Sequence, residues 1–152
     1  MPYRSPSCCY SEAATTDPRR SFPPVVRHPD MVTSPMPFID ITAYDAVELA
    51  PGARVRTPYG RHIMMSYLEL DEGAVVPEHQ HPHEQAGMLL KGQIELTIGD
   101  ETRLCQPGGM FIIPPDTPHR AVAVNGSALV LDIFSPIRED YAALFNKYIP
   151  PA

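Results

Sequence analysis

A chain of 152 residues with 19 prolines, 9 glycines, 3 cysteines and no tryptophan has the length of one domain with a core of its own. Twelve Lys and Arg against 18 Asp and Glu leave a net charge of −6, which repels phosphate backbones and anionic headgroups, so nucleic acid and membrane surfaces are poor partners. Three cysteines, with Cys8 and Cys9 adjacent and Cys105 alone, form neither a disulfide framework nor a zinc finger, and Cys105 reads as a small core hydrophobe.

Eight of the prolines fall in the first 37 residues, where missing amide protons forbid a sustained helix or central strand. Residues 1–37 therefore read as a disordered or extended arm, with Met31 an alternative start. No apolar run reaches the ~18 residues of a membrane span and no secretory h-region is present, so a cytoplasmic protein is expected.

From Phe38 short apolar runs alternate with turn signals: Arg61 to Leu70, Gln85 to Leu90, Gln93 to Ile98, Met110 to Ile113, His119 to Val124 and Ser127 to Phe134, separated by Asp71-Glu72-Gly73, Lys91-Gly92, Gly99-Asp100-Glu101 and Asn125-Gly126. This rhythm predicts an all-β sandwich or barrel over 38–136. Asn125-Gly126 is the strongest hairpin signal, because a type I′ turn needs positive φ at both central residues. After Pro136, Tyr141, Leu144, Phe145 and Tyr148 fall at helical spacing, which predicts one short C-terminal helix within 137–152, packed on the barrel. Neither a glycine-rich dinucleotide motif nor a P-loop appears.

Four of the six histidines are His79, His81, His83 and His119, the first three within EHQHPHEQ. If that segment stays extended, residues 79, 81, 83 and 85 project to one face, and two imidazoles can reach one ion with the Gln85 amide, rather than the Glu84 carboxylate, on the same side. His83 is expected beside the ion or in solvent rather than on it, because three successive same-face residues rarely converge on one point. His28 and His62 lack partners at useful spacing. Asp132 interrupts the apolar run LVLDIFSPIRED and shares a face with Phe134. Inside a barrel such a carboxylate is costly unless it is paired, metal-linked or used in proton transfer; the bland alternative is an Asp satisfied by backbone amides or Arg138. Arg138 has the fork geometry for a substrate carboxylate, or for a surface salt bridge.

These spacings resemble the two motifs of the cupins. Gly73, His79, His81, Gln85 and Gly92 match the first motif, with glutamine in place of glutamate; Gly108, Pro114, Asp116 and His119 match the second, with Asp116 in place of glycine and Ala123 in place of asparagine. The resemblance implies a jelly-roll barrel, a double-stranded β-helix. HPHEQAGMLLKGQIELTIGDE, PGGMFIIPPDTPHRA and VLDIFSPIREDY are similar to the KdgF branch, which converts 4,5-unsaturated uronates of pectin and alginate to linear ketonic sugar acids. That likeness implies His79, His81, Gln85 and His119 as metal ligands, with Asp132, Phe134 and Arg138 catalytic or substrate-contacting. It also implies a homodimer acting on a small sugar-acid substrate. The cofactor is one divalent transition metal ion, with Zn, Ni, Fe, Mn and Cu not distinguished. A neutral amide leaves the ion more positive than a glutamate would, which favours isomerisation, hydration or ring opening over oxygen activation. A dioxygenase, a polyketide cyclase and a non-enzymatic binding cupin are the alternatives.

Overall fold

A computed structural model describes residues 38–147. The arm, with Met31, His28, Cys8 and Cys9, and Tyr148 of the helical pattern lie outside the described residues. A single 3-10 turn, Ile41–Ala43, precedes ten strands: β1 (Val47–Ala50), β2 (Ala53–Arg56), β3 (Met64–Leu70), β4 (Val75–His79), β5 (Glu84–Lys91), β6 (Ile94–Ile98), β7 (Glu101–Cys105), β8 (Met110–Ile113), β9 (His119–Ala123) and β10 (Ala128–Ser135), followed by helix α1 (Glu139–Lys147). They form two antiparallel sheets, ordered β1-β2-β3-β10-β5-β8 and β4-β9-β6-β7. This is the expected all-β jelly roll with one C-terminal helix.

Period-two burial builds the core. On β3 and β10 alternate residues are buried, and Leu68, Leu70, Leu89, Ile94, Leu96 and Val130 meet between the sheets. At one end Met64, Phe134 and Ala142 form a second apolar cluster with Tyr59, Ile137 and Tyr141, so α1 closes the barrel beside the end of β10. Glu139 and Asp140 occupy the first turn of α1, where negative charge suits the helix dipole.

Three expectations are corrected. EHQHPHEQ is not one strand: β4 ends at His79 in the four-stranded sheet and β5 begins at Glu84 in the six-stranded one. Pro82, which has no N–H to give a ladder, sits in the crossing. Asn125 and Gly126 do have positive φ, 57° and 124°, yet they join no hairpin, because β9 pairs with β4 and β6 whereas β10 pairs with β3 and β5. The turn is held instead against the β5–β6 connection, where Val124 N–H donates to the Gln93 carbonyl and the Asn125 amide to Gln93 Oε1. Finally, the strand expected from Arg61 starts at Met64, and the β1–β2 hairpin, β4 and β7 lay outside the predicted runs.

The outer face of the six-stranded sheet is apolar over four strands. Met65, Ile133, Ala86 and Ile112 form one cross-strand row, and Tyr67, Leu131, Met88 and Met110 the next. Met110 is 75% and Ile112 66% exposed, although solvated sheet faces ordinarily alternate towards polar residues. Among the described residues no helix is long and apolar enough to cross a membrane.

Candidate metal centre and active site

His79 and His119 face each other across the β4–β9 pair, with ring centroids 4.2 Å apart. A bulge between Val76 and His79 sets that register. His81, in the crossing to β5, brings its ring to 5.0 Å from His119 and 5.7 Å from His79. One ring nitrogen from each of the three lies within 4.8 Å of the others, a spacing that could hold one ion. Asp116 keeps the two halves together: it adopts φ 57°, the conformation the motif's glycine would take, and its N–H donates to the His81 carbonyl at 2.8 Å.

Each imidazole is fixed in the same tautomer. Nδ1 of His79 donates to the Pro77 carbonyl (2.9 Å), that of His81 to the His83 carbonyl (3.0 Å) and that of His119 to the Thr117 carbonyl (2.8 Å). Nε2 is therefore the lone-pair atom of all three. His119 Nε2 is buried without a partner. Burial lowers the pKa of His81, with Arg138 adding to it, and lowers that of His119 to about 4, so both rings stay neutral at pH 7.

Gln85, the second residue of β5, donates its amide to Asp132 Oδ1 at 2.9 Å, which turns its Oε1 towards His81 Nε2 at 3.2 Å. Two acceptors then face each other, since the His81 proton is on Nδ1. A cation held by both would relieve that conflict, so the residues present fit a metal on their own chemistry. Imidazole and amide donors of this kind suit several divalent transition ions.

Asp132 is buried in the cavity wall with Ser66 and Gly87 as its strand neighbours. Burial pushes its carboxyl up to about 7, against the lowering pull of the Gln85 amide and Arg138. The blander expectation, an Asp held by backbone amides or by Arg138, is not what the hydrogen bonds describe. Phe134 shares the inward face, its ring edge-on to His81 at 5.5 Å. Arg138 is also buried: Nε and Nη2 donate to Asp140, and Nη1 has no partner. His79, Gln85, His119, Asp132, Phe134 and Arg138 line one pocket that opens to solvent, with a cavity of about 50 Å³.

His83 stands apart from the three-histidine group. It is buried rather than in solvent, supplies the carbonyl that orients His81, and places Nε2 3.5 Å from Glu139. Sequence reasoning left Gly87, Phe111, Asp140 and Tyr141 without a role at this site. A glycine inside a strand was the available signal for Gly87, since a Cβ there would overlap the Phe111 ring and lie 2.6 Å from Asp132 Oδ1.

Residues 66–134 match the cupin domain family. The structure is similar to KdgF from Halomonas sp., with 34% identity, a TM-score of 0.64, and coverage of 68% of this chain and 96% of that one. It shares its fold with an RmlC-like cupin from Shewanella frigidimarina (23% identity, TM-score 0.66, covering 70% and 96% of the two chains). A stretch of 60 residues, 39% of this chain, is 33% identical to the H2HPP isomerase of Bacillus subtilis, of which it spans 25%.

Proposed function

The chain belongs to the cupin family, and from that premise we propose that it is a metal-dependent enzyme that opens the ring of a 4,5-unsaturated uronate. The observation that carries this reading is the line of groups from the three Nε2 atoms through Gln85 to a buried, proton-holding Asp132. His79, His81, Gln85 and His119 would hold the ion. When bound, a divalent cation supplies Lewis-acid polarisation of a substrate oxygen.

Opening such a ring is an isomerisation with no net change of atoms. The hemiacetal hydroxyl loses a proton, the ring C–O bond breaks, and carbon 4 of the released enol gains a proton to leave the ketone. One side chain that takes and returns a proton suffices. Asp132 fits that task, because a pKa near 7 makes both forms accessible at neutral pH. Gln85 fixes Oδ1, which leaves Oδ2 to carry the proton. Arg138 receives the substrate carboxylate, and Phe134 with Tyr141 walls that end of the pocket. The partial likeness to an isomerase supports proton-transfer chemistry over oxygen activation.

The test is direct: incubate the metal-loaded protein with unsaturated galacturonate or mannuronate and follow the alkene absorbance. A decay faster than buffer supports the proposal, and a rate equal to buffer ends it. For assembly we propose a homodimer, supported by the two apolar rows on the outer face of the six-stranded sheet.

A further inference from the structure

Arg138 is held on three sides. Nε and Nη2 donate to the Asp140 carboxylate at 3.2 and 2.7 Å, the Tyr141 ring centroid lies 3.8 Å from Cζ, and that of Phe134 lies 5.2 Å away. Asp140 thus closes the side-on edge of the guanidinium, one of the two edges that can grip a carboxylate. What remains is the Nη1 end, buried and without a partner, on a side chain that lines the cavity. A buried cationic donor in that state is costly until a ligand supplies an acceptor.

We infer that Asp140 and Tyr141 are positioning residues for the substrate. They aim the Nη1 end of Arg138 at the cavity, where it takes a ligand carboxylate end-on while other ligand oxygens face the histidines. Both stand on α1, beyond the cupin-matched segment 66–134, so recognition of the acid is built outside the part that makes the barrel. This rests on the sugar-acid reading for the class of ligand.

A rival role for Asp140, mere neutralisation of Arg138, differs in sign. Removing a negative charge beside the cation would then tighten anion binding, whereas loss of aim weakens it. Calorimetry on the metal-loaded full chain, with D-galacturonate as probe and uncharged D-galactose as control, separates them. Asp140→Asn and Tyr141→Leu should each weaken galacturonate binding about tenfold, Asp140→Glu should recover to within about threefold, and galactose binding should not move. Nitrogen NMR of the arginine side chains gives a second readout without any ligand: Arg138 shows separate, slowly exchanging Nη signals in the wild type, which Asp140→Asn averages. Tighter galacturonate binding in Asp140→Asn, or Nη signals already averaged in the wild type, would overturn the inference. Should the wild type bind galacturonate no better than galactose, the sugar-acid reading fails, the carboxylate role assigned to Nη1 fails with it, and the NMR signals alone decide whether the clamp exists.

Discussion

Gln85 and Asp132 are joined inside the barrel by a 2.9 Å hydrogen bond in which the carboxamide donates to Oδ1, while the same carboxamide turns its oxygen to His81. The glutamine thus does one thing a glutamate cannot, donating to the acid, and it would meet a cation without adding charge. In Gln85→Glu the donor is lost and a second carboxylate faces Asp132, so Asp132 holds its proton more tightly. We expect metal affinity to rise at least about tenfold and turnover of the unsaturated uronate to fall about a hundredfold, read from metal titration and steady-state kinetics. Unchanged turnover would show that Gln85 has no part in proton transfer.

The Asp132 carboxyl also leaves a signature in stability. Its folded pKa is about 7 against an ordinary 3.8, so between those values the folded protein keeps a proton that the unfolded chain has released. Its stabilising contribution is complete below about pH 4 and is lost as pH rises through 7. His119, lowered from 6.5 to about 4, acts in the opposite sense, with stability lost as pH falls from 6.5 to 4. Asp132→Asn removes only the first effect. In chelator-treated protein, the unfolding free energy of the variant minus that of wild type, read from denaturant melts, should grow from pH 4 to 7 and level off above, with a ceiling of a few kcal/mol at about 1.4 kcal/mol per pH unit. A difference independent of pH would place the acid in contact with water.

Metal removal should destabilise the chain, because an ion held by the three imidazoles would be bound by the folded arrangement and not by the unfolded one. With metal at about a hundred times its dissociation constant, linkage is worth about 2.7 kcal/mol, so chelation should lower the melting temperature by several degrees and zinc or nickel should restore it. His119→Ala should melt at the same temperature with and without the ion. If chelation leaves the wild-type melting temperature in place, the three imidazoles do not form a site.

The strand pattern and the three-histidine set were legible because both rest on local spacing: period-two alternation marks strands, and Gly73 to Gly92 and Gly108 to His119 fix where the histidines fall along the chain. Which sheet a strand joins was not legible. Asn125-Gly126 carries its turn conformation locally, but whether β10 continues beside β9 or crosses over is decided by packing of that corner on Gln93 and by Gly92, whose Cβ would overlap the Ser127 carbonyl. EHQHPHEQ likewise keeps His79 and His81 converging although its strand breaks around Pro82. Asp140 and Tyr141 read as ordinary helix residues, because their task depends on Arg138 folding back over them.

The outer face of the six-stranded sheet should be an interface. Ile133 and Ile112 lie in one apolar row flanking Ala86, with no charge among the eight residues of the two rows, so a second copy can cover them without burying an unpaired ion. Ile133→Glu and Ile112→Lys should each convert a dimer to a monomer in sedimentation, with metal content unchanged. A wild type that sediments as a monomer at roughly 50 μM, above the micromolar dissociation constant of a weak dimer, would dismiss the assembly.

Gly87 supplies the last expectation, because its missing side chain is what lets Asp132 and Phe111 approach from the flanking strands. β5 pairs with β10 through Asp132↔Gly87 and with β8 through Gly87↔Phe111, so the three side-chain positions lie in one row across the inner face. A methyl group at Gly87 would overlap the Phe111 ring and crowd Asp132 Oδ1. The ring can swing outwards along its flexible end; the carboxylate is held by Gln85 and cannot move without breaking that bond. Gly87→Ala should therefore cost about 1 to 3 kcal/mol of stability by overpacking, and activity should fall further than stability alone explains. Shortening the neighbour in Gly87→Ala/Phe111→Leu should return most of the stability and part of the activity. Recovery of stability with no recovery of activity would assign the residual defect to the displaced Asp132, whereas full activity in Gly87→Ala alone would mean that the position of the carboxylate is not critical.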